Sequence, residues 1–227
     1  METVITQYEQ IGQLYIDMQK SGMFIPSVWA RSTLANMVGS LKGKVVVDAG
    51  CGNGHDAVEY IKNGACSVLG FDPSQVMLTR AEDLMKEHQV IGTEFRKGSY
   101  ESIPFDDSCA DVVFGIFSLH YVSDLNAAFV ELARITKPGG KIAFVCNHPI
   151  KVNTDKISPF KDQEIVSVKI YDGAITIQQP SHDLSDYFCP IFFKNFSLEQ
   201  FVEYFPEDDE GNTLRNPMNF LFCATRL

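Results

Sequence analysis

The chain has 227 residues, 45% of them hydrophobic, which is enough to bury the core of one domain. Its formal net charge of −10, without any cluster of lysine or arginine, disfavours nucleic acid and anionic membranes as partners. We find neither a signal-peptide pattern nor an apolar run long enough to span a bilayer, so we expect a cytoplasmic protein with no membrane partner. The six cysteines lack metal-ligand and disulfide spacing, so we expect reduced thiols and no metal site.

Along the chain, the first 43 residues carry apolar side chains at helical spacing, and we expect them to lie across the edge of the sheet as a lid. From residue 44 onward, β-branched runs alternate with helical patterns that have recognisable caps. Strands are predicted at 44–50, 66–72, 93–99, 110–118 and 141–147. Helices are predicted at about 54–62, 73–88 and 124–137.

Repeated β-α units of this kind predict an α/β fold, a Rossmann-like three-layer αβα sandwich around a mostly parallel, seven-stranded sheet. After residue 147, two alternating runs around a Tyr-Asp-Gly turn predict an inserted β-hairpin. The run 197–205 is predicted as a last helix, and 218–227 as a last, antiparallel strand. We therefore expect a single domain made of a helical lid (1–43), a cofactor-binding core (44–147), a substrate-side insertion (148–196) and a final helix and strand (197–227).

The loop after the first strand, in VVVDAGCGNGHDA at 45–57, indicates the kind of cofactor. The dinucleotide fingerprint Gly-x-Gly-x-x-Gly fails here because its third glycine comes one position early, which disfavours NAD. Asp48 precedes the glycines, and its charge would cost about 1 to 4 kcal/mol against a pyrophosphate at contact distance. A cationic ligand would gain that energy, so the loop favours a cation.

Asp72 ends the second strand, where it could hold the hydroxyls of a ribose with both carboxylate oxygens. A cofactor with a ribose, an ammonium group and a sulfonium meets both requirements, and S-adenosylmethionine is such a molecule. A purely structural alternative is that Asp72 only caps the following helix, although capping is compatible with ribose binding.

Four blocks in this order resemble class I S-adenosylmethionine-dependent methyltransferases of the ubiquinone-biosynthesis-like group. They are VVVDAGCGNG, GFDPSQVML, GSYESIPFDDSCADVVFGIFSLHYVSD and ELARITKPGGKIAF. The resemblance covers about residues 40 to 147. Gly-x-Gly-x-Gly alone is a weak motif, but four blocks that each lie at the expected end of a strand are specific.

The resemblance implies that the first loop wraps the methionine end of the cofactor. The residues implied are Asp48, Gly50, Cys51 and Gly52. Phe117 matches the position that passes the methionine moiety with main-chain atoms, and Arg31 matches a basic residue that some relatives use on the methionine carboxylate. Tyr8 and Tyr15 resemble lid tyrosines that cover the cofactor, with helix packing as the alternative role.

At the adenosine end, the resemblance implies that Asp72 holds the ribose while Pro73 and Met77 lie against the adenine. Ser99 and Tyr100 would contact the edge of the ring. The family usually has Asp at the position of Ser99, so this contact to the adenine amino group departs from the pattern. Met77 also fits the alternative of a core residue on an apolar helical face.

His120 and His148 each follow a strand at the carboxyl edge of the sheet, so either could act as a general base. A hydrogen-bonded structural histidine is the alternative for both. Tyr121, Tyr187 and Phe188 are the candidate substrate contacts, the last two because they lie next to the inserted hairpin.

These observations predict an enzyme that transfers a methyl group by in-line displacement to O or N of a small molecule or short peptide. The rival hypotheses are a cofactor-binding regulatory or assembly module that transfers nothing, and an NAD-dependent oxidoreductase, which the glycine spacing disfavours. A monomer and a homodimer both fit the sequence, and the methyl acceptor is not encoded in any motif.

Overall fold

The computed structural model describes residues 25–152, 165–170, 175–207 and 210–227. Helix α1 (Ile25–Val38) comes first and is followed by alternating strands and helices. These are β1 (Val45–Ala49), α2 (His55–Lys62), β2 (Ser67–Asp72), α3 (Gln75–Glu87), β3 (Thr93–Lys97), β4 (Ala110–Ile116), α4 (Leu125–Ile135) and β5 (Thr136–Asn147). A single 3-10 turn, Leu119–Tyr121, lies between β4 and α4. The predicted βα alternation is confirmed over this part of the chain.

The insertion follows β5 and returns the chain to the sheet. It consists of α5 (Pro149–Val152), β6 (Ile165–Ile170), β7 (Ile175–Pro180), α6 (Leu184–Tyr187) and α7 (Pro190–Asn195). Strands β6 and β7 pair with each other in antiparallel register and form a separate two-stranded sheet. The predicted inserted hairpin is therefore confirmed.

The main sheet has seven strands in the order β3-β2-β1-β4-β5-β9-β8, where β8 is Phe196–Tyr204 and β9 is Asn219–Arg226. Strands β1 to β5 are mutually parallel, and β9 is antiparallel to both β5 and β8. The chain order reverses between β1 and β4, so the crevice between their carboxyl ends is the topological switch point where ligands bind in such sheets.

One predicted element is wrong. The run 197–205 forms strand β8, not a helix. Its apolar residues fit either period, and the open edge of β9 decides the outcome because pairing satisfies the backbone groups of both strands. Neighbouring side chains consequently point to opposite faces: Val202 packs against one core cluster, while the ring of Phe201 stacks on Phe220 at 5.9 Å.

Two hydrophobic clusters cover the two faces of the sheet, as a three-layer sandwich requires. One face buries Val46 and Phe114 against α1, α2 and α3. The other face buries Val47 and Phe144 against α4 and α7. Adjacent residues of β1 thus enter opposite cores, which explains why this strand is a continuous apolar run. The predicted αβα architecture is confirmed.

The predicted lid at 1–43 is only partly described. Tyr8 and Tyr15 lie outside the described residues. The predicted helical character is confirmed for α1, whose Ala30 and Leu34 are buried. Because these apolar side chains need a partner surface, α1 packs on a face of the sheet against β5 and β9, not across the sheet edge.

Candidate functional site

The loop after β1 occupies the switch point, and its backbone requires glycine. Gly50 and Gly52 have φ angles of +69° and +52°, in the left-handed region. A Cβ on Gly50 would lie 2.5 Å from the Cβ of Ser118, so no larger residue fits there. A Cβ on Gly52 would meet nothing within 4 Å, which means that this part of the loop borders open space.

Asp72 joins this loop to the start of α3. Its Oδ2 accepts a hydrogen bond from the amide of Gly52 at 3.0 Å, and its Oδ1 accepts one from the amide of Ser74 at 2.9 Å. Burial raises the pKa of Asp72 to about 6, although both amide hydrogen bonds oppose the shift. Each oxygen keeps a further lone pair, so the carboxylate can still accept hydrogen bonds from a ligand.

Asp48 lies beneath the same loop in an environment that disfavours its charge. Only 2% of Asp48 is exposed, and its Oδ2 has no hydrogen-bond partner in the described part of the chain. Burial raises the pKa of Asp48 well above its usual range, and the negative charges of Asp56 and Asp72 raise it further. The guanidinium of Arg31 acts in the opposite direction.

Arg31 forms an ion pair with the carboxylate of Asp56. Its Nε and Nη2 lie 2.5 and 2.8 Å from the two carboxylate oxygens of Asp56, in a bidentate ion pair between α1 and the first turn of α2. The predicted contact of Arg31 with a methionine carboxylate stays a prediction. The pair leaves Asp48 and Asp72 as the carboxylates of the crevice that have no cationic partner in the described residues.

This charge distribution tests which cofactor fits. Three carboxylates and one guanidinium act on the crevice, and one buried carboxylate oxygen is unpaired. A cationic group would satisfy that oxygen, whereas a diphosphate would add charge of the same sign. The residues therefore fit a positively charged sulfur nucleoside and not a dinucleotide.

The remaining predicted contacts fall into two groups. Met77 is 3% exposed and Cys51 is 8% exposed, so both side chains are core residues, and burial raises the pKa of the Cys51 thiol well above its usual range. Pro73, Ser99 and Phe117 are partly exposed around the crevice. Phe117 has φ +54°, a strained conformation for a non-glycine residue at a strand end. Contact of any of them with a cofactor stays a prediction.

The hydroxyl of Tyr100 contacts two residues that border the crevice, Ala49 and Ser118. It lies 3.0 Å from the carbonyl oxygen of Ala49 and 2.7 Å from Oγ of Ser118, which itself donates to Ala49 at 2.7 Å. The Tyr100 side chain is 5% exposed, and its ring packs edge-on against Phe71 at 5.3 Å. The Tyr100 side chain therefore holds the loop after β1 in place. Contact of Tyr100 with an adenine stays a prediction, and because the side chain is buried, the main chain would have to make it.

His148 is not placed to act as a general base. It is 1% exposed, its Nδ1 accepts the amide hydrogen of Ile150 at 3.1 Å, and its Nε2 lies 2.9 Å from Oε1 of Glu203. The neutral ring therefore carries its proton on Nε2 and donates it to the carboxylate. Burial lowers the pKa of His148, and Glu203 opposes the shift. Since both nitrogens are occupied, His148 ties the end of β5 to β8.

His120 is held in a similar way, at the carboxyl end of β4. It is 1% exposed, and its Nδ1 and Nε2 lie 3.5 and 3.3 Å from the main-chain and side-chain nitrogens of Asn147. Burial, with smaller contributions from His182 and Lys151, lowers the pKa of His120 to about 3. It is neutral at physiological pH, and its contacts are those of a structural residue.

The predicted substrate residues lie near these histidines. The ring of Tyr121 packs against His120 with centroids 4.3 Å apart. Tyr187 is 1% exposed and hydrogen-bonded to the thiol of Cys146, and Phe188 packs edge-on against Phe222 at 5.4 Å. Tyr187 and Phe188 therefore have the contacts of core residues, and a substrate contact is better supported for Tyr121.

The structure brings together polar residues that the sequence reasoning missed. They lie where β5 and β7 end and β9 begins, and all are at least 93% buried: Asn147, Gln179, Ser181, His182 and Asn219. We call this set, together with His120, the polar cluster. The available signal was the position of His182 two residues after a strand, which is similar to the criterion that selected His120 and His148.

Hydrogen bonds connect the polar cluster. The side-chain nitrogen of Asn147 donates to Gln179 at 3.0 Å, and that of Asn219 donates to Asn147 at 3.3 Å. Strand β7 thereby attaches the inserted hairpin to the ends of β5 and β9. Buried polar groups are costly unless paired, so these hydrogen bonds offset the cost of burying the cluster at this edge of the sheet.

Two kinds of feature are absent from the residues that the structure describes. No helix among them is long and apolar enough to cross a membrane. Within the same residues, no group of three histidine, cysteine or acidic side chains is placed to hold a metal ion.

Comparison with known proteins identifies the class. Residues 47–144 match the family described as Methyltransferase domain. A malonyl-[acyl-carrier protein] O-methyltransferase from Pectobacterium atrosepticum is 36% identical over 102 residues, covering 45% of this chain and 38% of the relative. A phthiotriol/phenolphthiotriol dimycocerosates methyltransferase from Mycobacterium leprae is 26% identical over 174 residues, covering 72% of this chain and 62% of the relative. The chain thus spans less than two thirds of the length of these curated relatives.

Among solved structures, an S-adenosylmethionine dependent methyltransferase from Mesorhizobium loti superposes with a TM-score of 0.67 at 22% identity, covering 86% of this chain and 96% of the other. The structural likeness shows the Rossmann-like fold. The family match shows that residues 47–144 are similar to methyltransferase domains, in agreement with the predicted resemblance to class I S-adenosylmethionine-dependent methyltransferases. The predicted class is confirmed, and the ubiquinone-biosynthesis-like subgroup stays a prediction.

Proposed function

We propose that this chain binds S-adenosylmethionine in the crevice between β1 and β4 and transfers its methyl group to O or N of a small molecule or short peptide. The observation that carries the proposal is the buried, unpaired Oδ2 of Asp48, which lies among further carboxylates at the switch point. A cationic ligand relieves the cost of that arrangement, which is about 1 to 3 kcal/mol for an unsatisfied buried polar group and more for a charged one.

The residues around the crevice have distinct roles in this proposal. Asp72 accepts the ribose hydroxyls with its remaining lone pairs, and the amides of the first loop approach the methionine end where Gly52 leaves space. Ser99 replaces the usual acidic residue at the adenine edge with a hydroxyl. Tyr100 and Ser118 hold the carbonyl of Ala49 and so keep the loop in place.

When bound, S-adenosylmethionine supplies a methyl group on a positively charged sulfur that is already activated as a leaving group. The protein then has to align the acceptor with that methyl group and exclude water, which supplies most of the rate in such displacements. The inserted hairpin, attached to β5 through Gln179 and Asn147, is the element that closes over the acceptor.

The acceptor class rests on several supports. The net charge of −10 disfavours nucleic acid, and the polar cluster under the hairpin suits a small polar molecule or the end of a peptide. The Pectobacterium relative carries an O-methyltransferase name. A cytoplasmic location and a monomer or homodimer complete the proposal.

Isothermal titration calorimetry with S-adenosylhomocysteine tests the binding step. We expect one site per chain, no binding of NAD, and a loss of affinity in the Asp72→Asn variant while the surface variant Asp83→Asn binds normally. The absence of S-adenosylhomocysteine binding by the wild-type chain contradicts the proposal.

Turnover separates an enzyme from a cofactor-binding regulatory module. The chain is incubated with methyl-labelled S-adenosylmethionine and a mixture of small metabolites, and the label is followed by mass spectrometry. We expect labelled O- or N-methyl products together with S-adenosylhomocysteine. Tight cofactor binding without any label transfer favours the regulatory module.

A further inference from the structure

His182 is the buried histidine that retains an unoccupied ring nitrogen. It follows β7 and is 4% exposed. Its Nε2 lies 2.7 Å from the carbonyl oxygen of Val122, and because a carbonyl can only accept, Nε2 carries the proton. Nδ1 therefore presents a lone pair, and it has no hydrogen-bond partner in the described part of the chain.

The position of His182 relates this lone pair to the crevice. Val122 ends the 3-10 turn that begins beside Ser118, and Ser118 is the residue against which Gly50 is packed. The segment 118–122 thus runs from the methionine end of the crevice to His182. The ring of His182 also packs edge-on against Tyr187 at 5.6 Å, which fixes its orientation.

A second unpaired atom in the polar cluster has the same character. Oδ1 of Asn219 is buried and has no hydrogen-bond partner among the described residues. Both unpaired atoms are hydrogen-bond acceptors, so a molecule that satisfies them must bring donors. Leaving such groups unpaired costs about 1 to 3 kcal/mol each, and an apolar side chain of similar size would avoid the cost.

Charge distinguishes between the possible donors. Lys151 contributes positive charge at His120, whereas Asp183 and Asp186 contribute negative charge at His182, and the polar cluster itself contains no carboxylate. Lys151 has no ion pair within the described residues, and burial lowers its pKa. A cationic amine would be buried without an ion-pair partner inside the cluster, a carboxylate brings no donor, and a neutral hydroxyl brings a donor without a charge.

We infer that the polar cluster is the acceptor subsite, that the acceptor is a neutral hydroxyl compound, and that His182 is its general base. This inference rests on the proposed function and deepens it. The hydroxyl oxygen forms a bond to the methyl carbon while the carbon–sulfur bond breaks with its electron pair on sulfur, and the hydroxyl proton moves to Nδ1. Nε2 stays bonded to Val122, which holds the ring during the transfer, and the imidazolium later releases the proton to water.

The test uses the full chain with ¹⁵N-labelled histidine rings, so that it does not depend on turnover. Without any ligand, we expect His182 to show a protonated Nε2 and an unprotonated Nδ1 at neutral pH. Addition of phenol, the hydroxyl probe, to the S-adenosylhomocysteine complex is expected to shift the Nδ1 resonance, while benzoate leaves it unchanged. His182→Gln assigns the resonance, and His88→Gln, at an exposed position, is the matched control.

Several results overturn the inference. A proton on Nδ1 does so, and so does an Nδ1 resonance that phenol does not move. His182→Gln can still donate to Val122 but has no basic nitrogen, and we expect it to lower turnover of hydroxyl compounds by about 100-fold or more with unchanged S-adenosylhomocysteine affinity. Undiminished turnover in this variant also overturns the inference. If the wild-type chain does not bind S-adenosylhomocysteine, the proposed function is contradicted. The protonation state of His182 in the ligand-free protein is still measured independently by the nitrogen resonances.

Discussion

Oδ2 of Asp72 accepts the amide hydrogen of Gly52 at 3.0 Å, and this contact couples the loop after β1 to the loop after β2. The other oxygen, Oδ1, accepts the amide of Ser74, which begins α3. One carboxylate therefore sets the relative position of the two loops that would hold opposite ends of a nucleoside. Its structural and binding roles use different lone pairs of the same two oxygens.

Replacing Asp72 with asparagine is expected to weaken S-adenosylhomocysteine binding by about 10- to 100-fold. The amide nitrogen cannot accept the hydrogen of Gly52 or Ser74, and charge-assisted hydrogen bonds to ribose are lost, each worth about 1.5 to 3 kcal/mol. Calorimetry measures the affinity. Asp83→Asn, whose carboxylate makes an exposed i,i+3 contact with Lys86, provides the control. Equal affinities of the Asp72 variant and the wild type would contradict the ribose role.

Binding is also expected to depend on pH through Asp72. Its pKa in the free protein is about 6, and the ionised form is the one that accepts two ribose hydroxyls. Affinity should therefore be constant above pH 7 and fall by up to about tenfold per pH unit below 6. Calorimetry between pH 5 and 8 checks this, and Asp72→Asn should flatten the profile. A wild-type affinity that does not change over this range excludes Asp72 as the titrating contact.

The parallel core was predictable because its signals are local. The β-branched run of β1, the glycine loop and the caps at Ser74 and Asp124 each determine their own segment, and the structure contains all of them. Asp48 and Asp72 were located from sequence for the same reason, since strand ends and glycines fix the position of a ligand loop.

Long-range contacts explain what the sequence did not predict. Strand β8 forms because β9 offers an edge, a fact that the run 197–205 does not contain. From sequence His148 is a candidate base, but in the structure its Nε2 is hydrogen-bonded to Glu203, which lies 55 residues later in the chain. In His182 the hydrogen bond to Val122 uses Nε2, so Nδ1 has no partner among the described residues. Whether a histidine is occupied depends on its neighbours in space.

The two glycines of the loop are expected to respond differently to alanine. Gly50→Ala should lower the free energy of unfolding by about 1 to 3 kcal/mol, because the new Cβ overlaps Ser118 and the φ angle is left-handed. Gly52→Ala meets no atom within 4 Å, so it should cost about 1 kcal/mol and act mainly on binding by filling the space above the loop.

Urea denaturation and calorimetry on both glycine variants separate these effects. The expected pattern is a larger stability loss at Gly50 and a larger affinity loss at Gly52. A larger affinity loss at Gly50 than at Gly52 would contradict the proposal that the cofactor approaches the loop at Gly52.

The free energy of unfolding is expected to fall in acid because the buried His120 is neutral in the folded protein. Its pKa is about 3 in the folded protein and 6.5 in the unfolded chain, so the unfolded state binds more protons between these values. The stability from this group is therefore complete above pH 6.5 and is lost as pH falls towards 3, by up to about 1.4 kcal/mol per pH unit. Asp72 acts in the opposite direction because its pKa is raised on folding, so its contribution is complete below pH 3.8 and is lost as pH rises through about 6.

Urea denaturation of three variants between pH 4 and 7.5 resolves the two contributions. His120→Gln should flatten the decline in acid, because a neutral amide takes up no proton. Asp72→Asn should steepen it, because the opposing carboxylate is gone. His88→Gln, at an exposed position, should follow the wild type. A decline that persists unchanged in His120→Gln would contradict the lowered pKa of His120 in the folded protein.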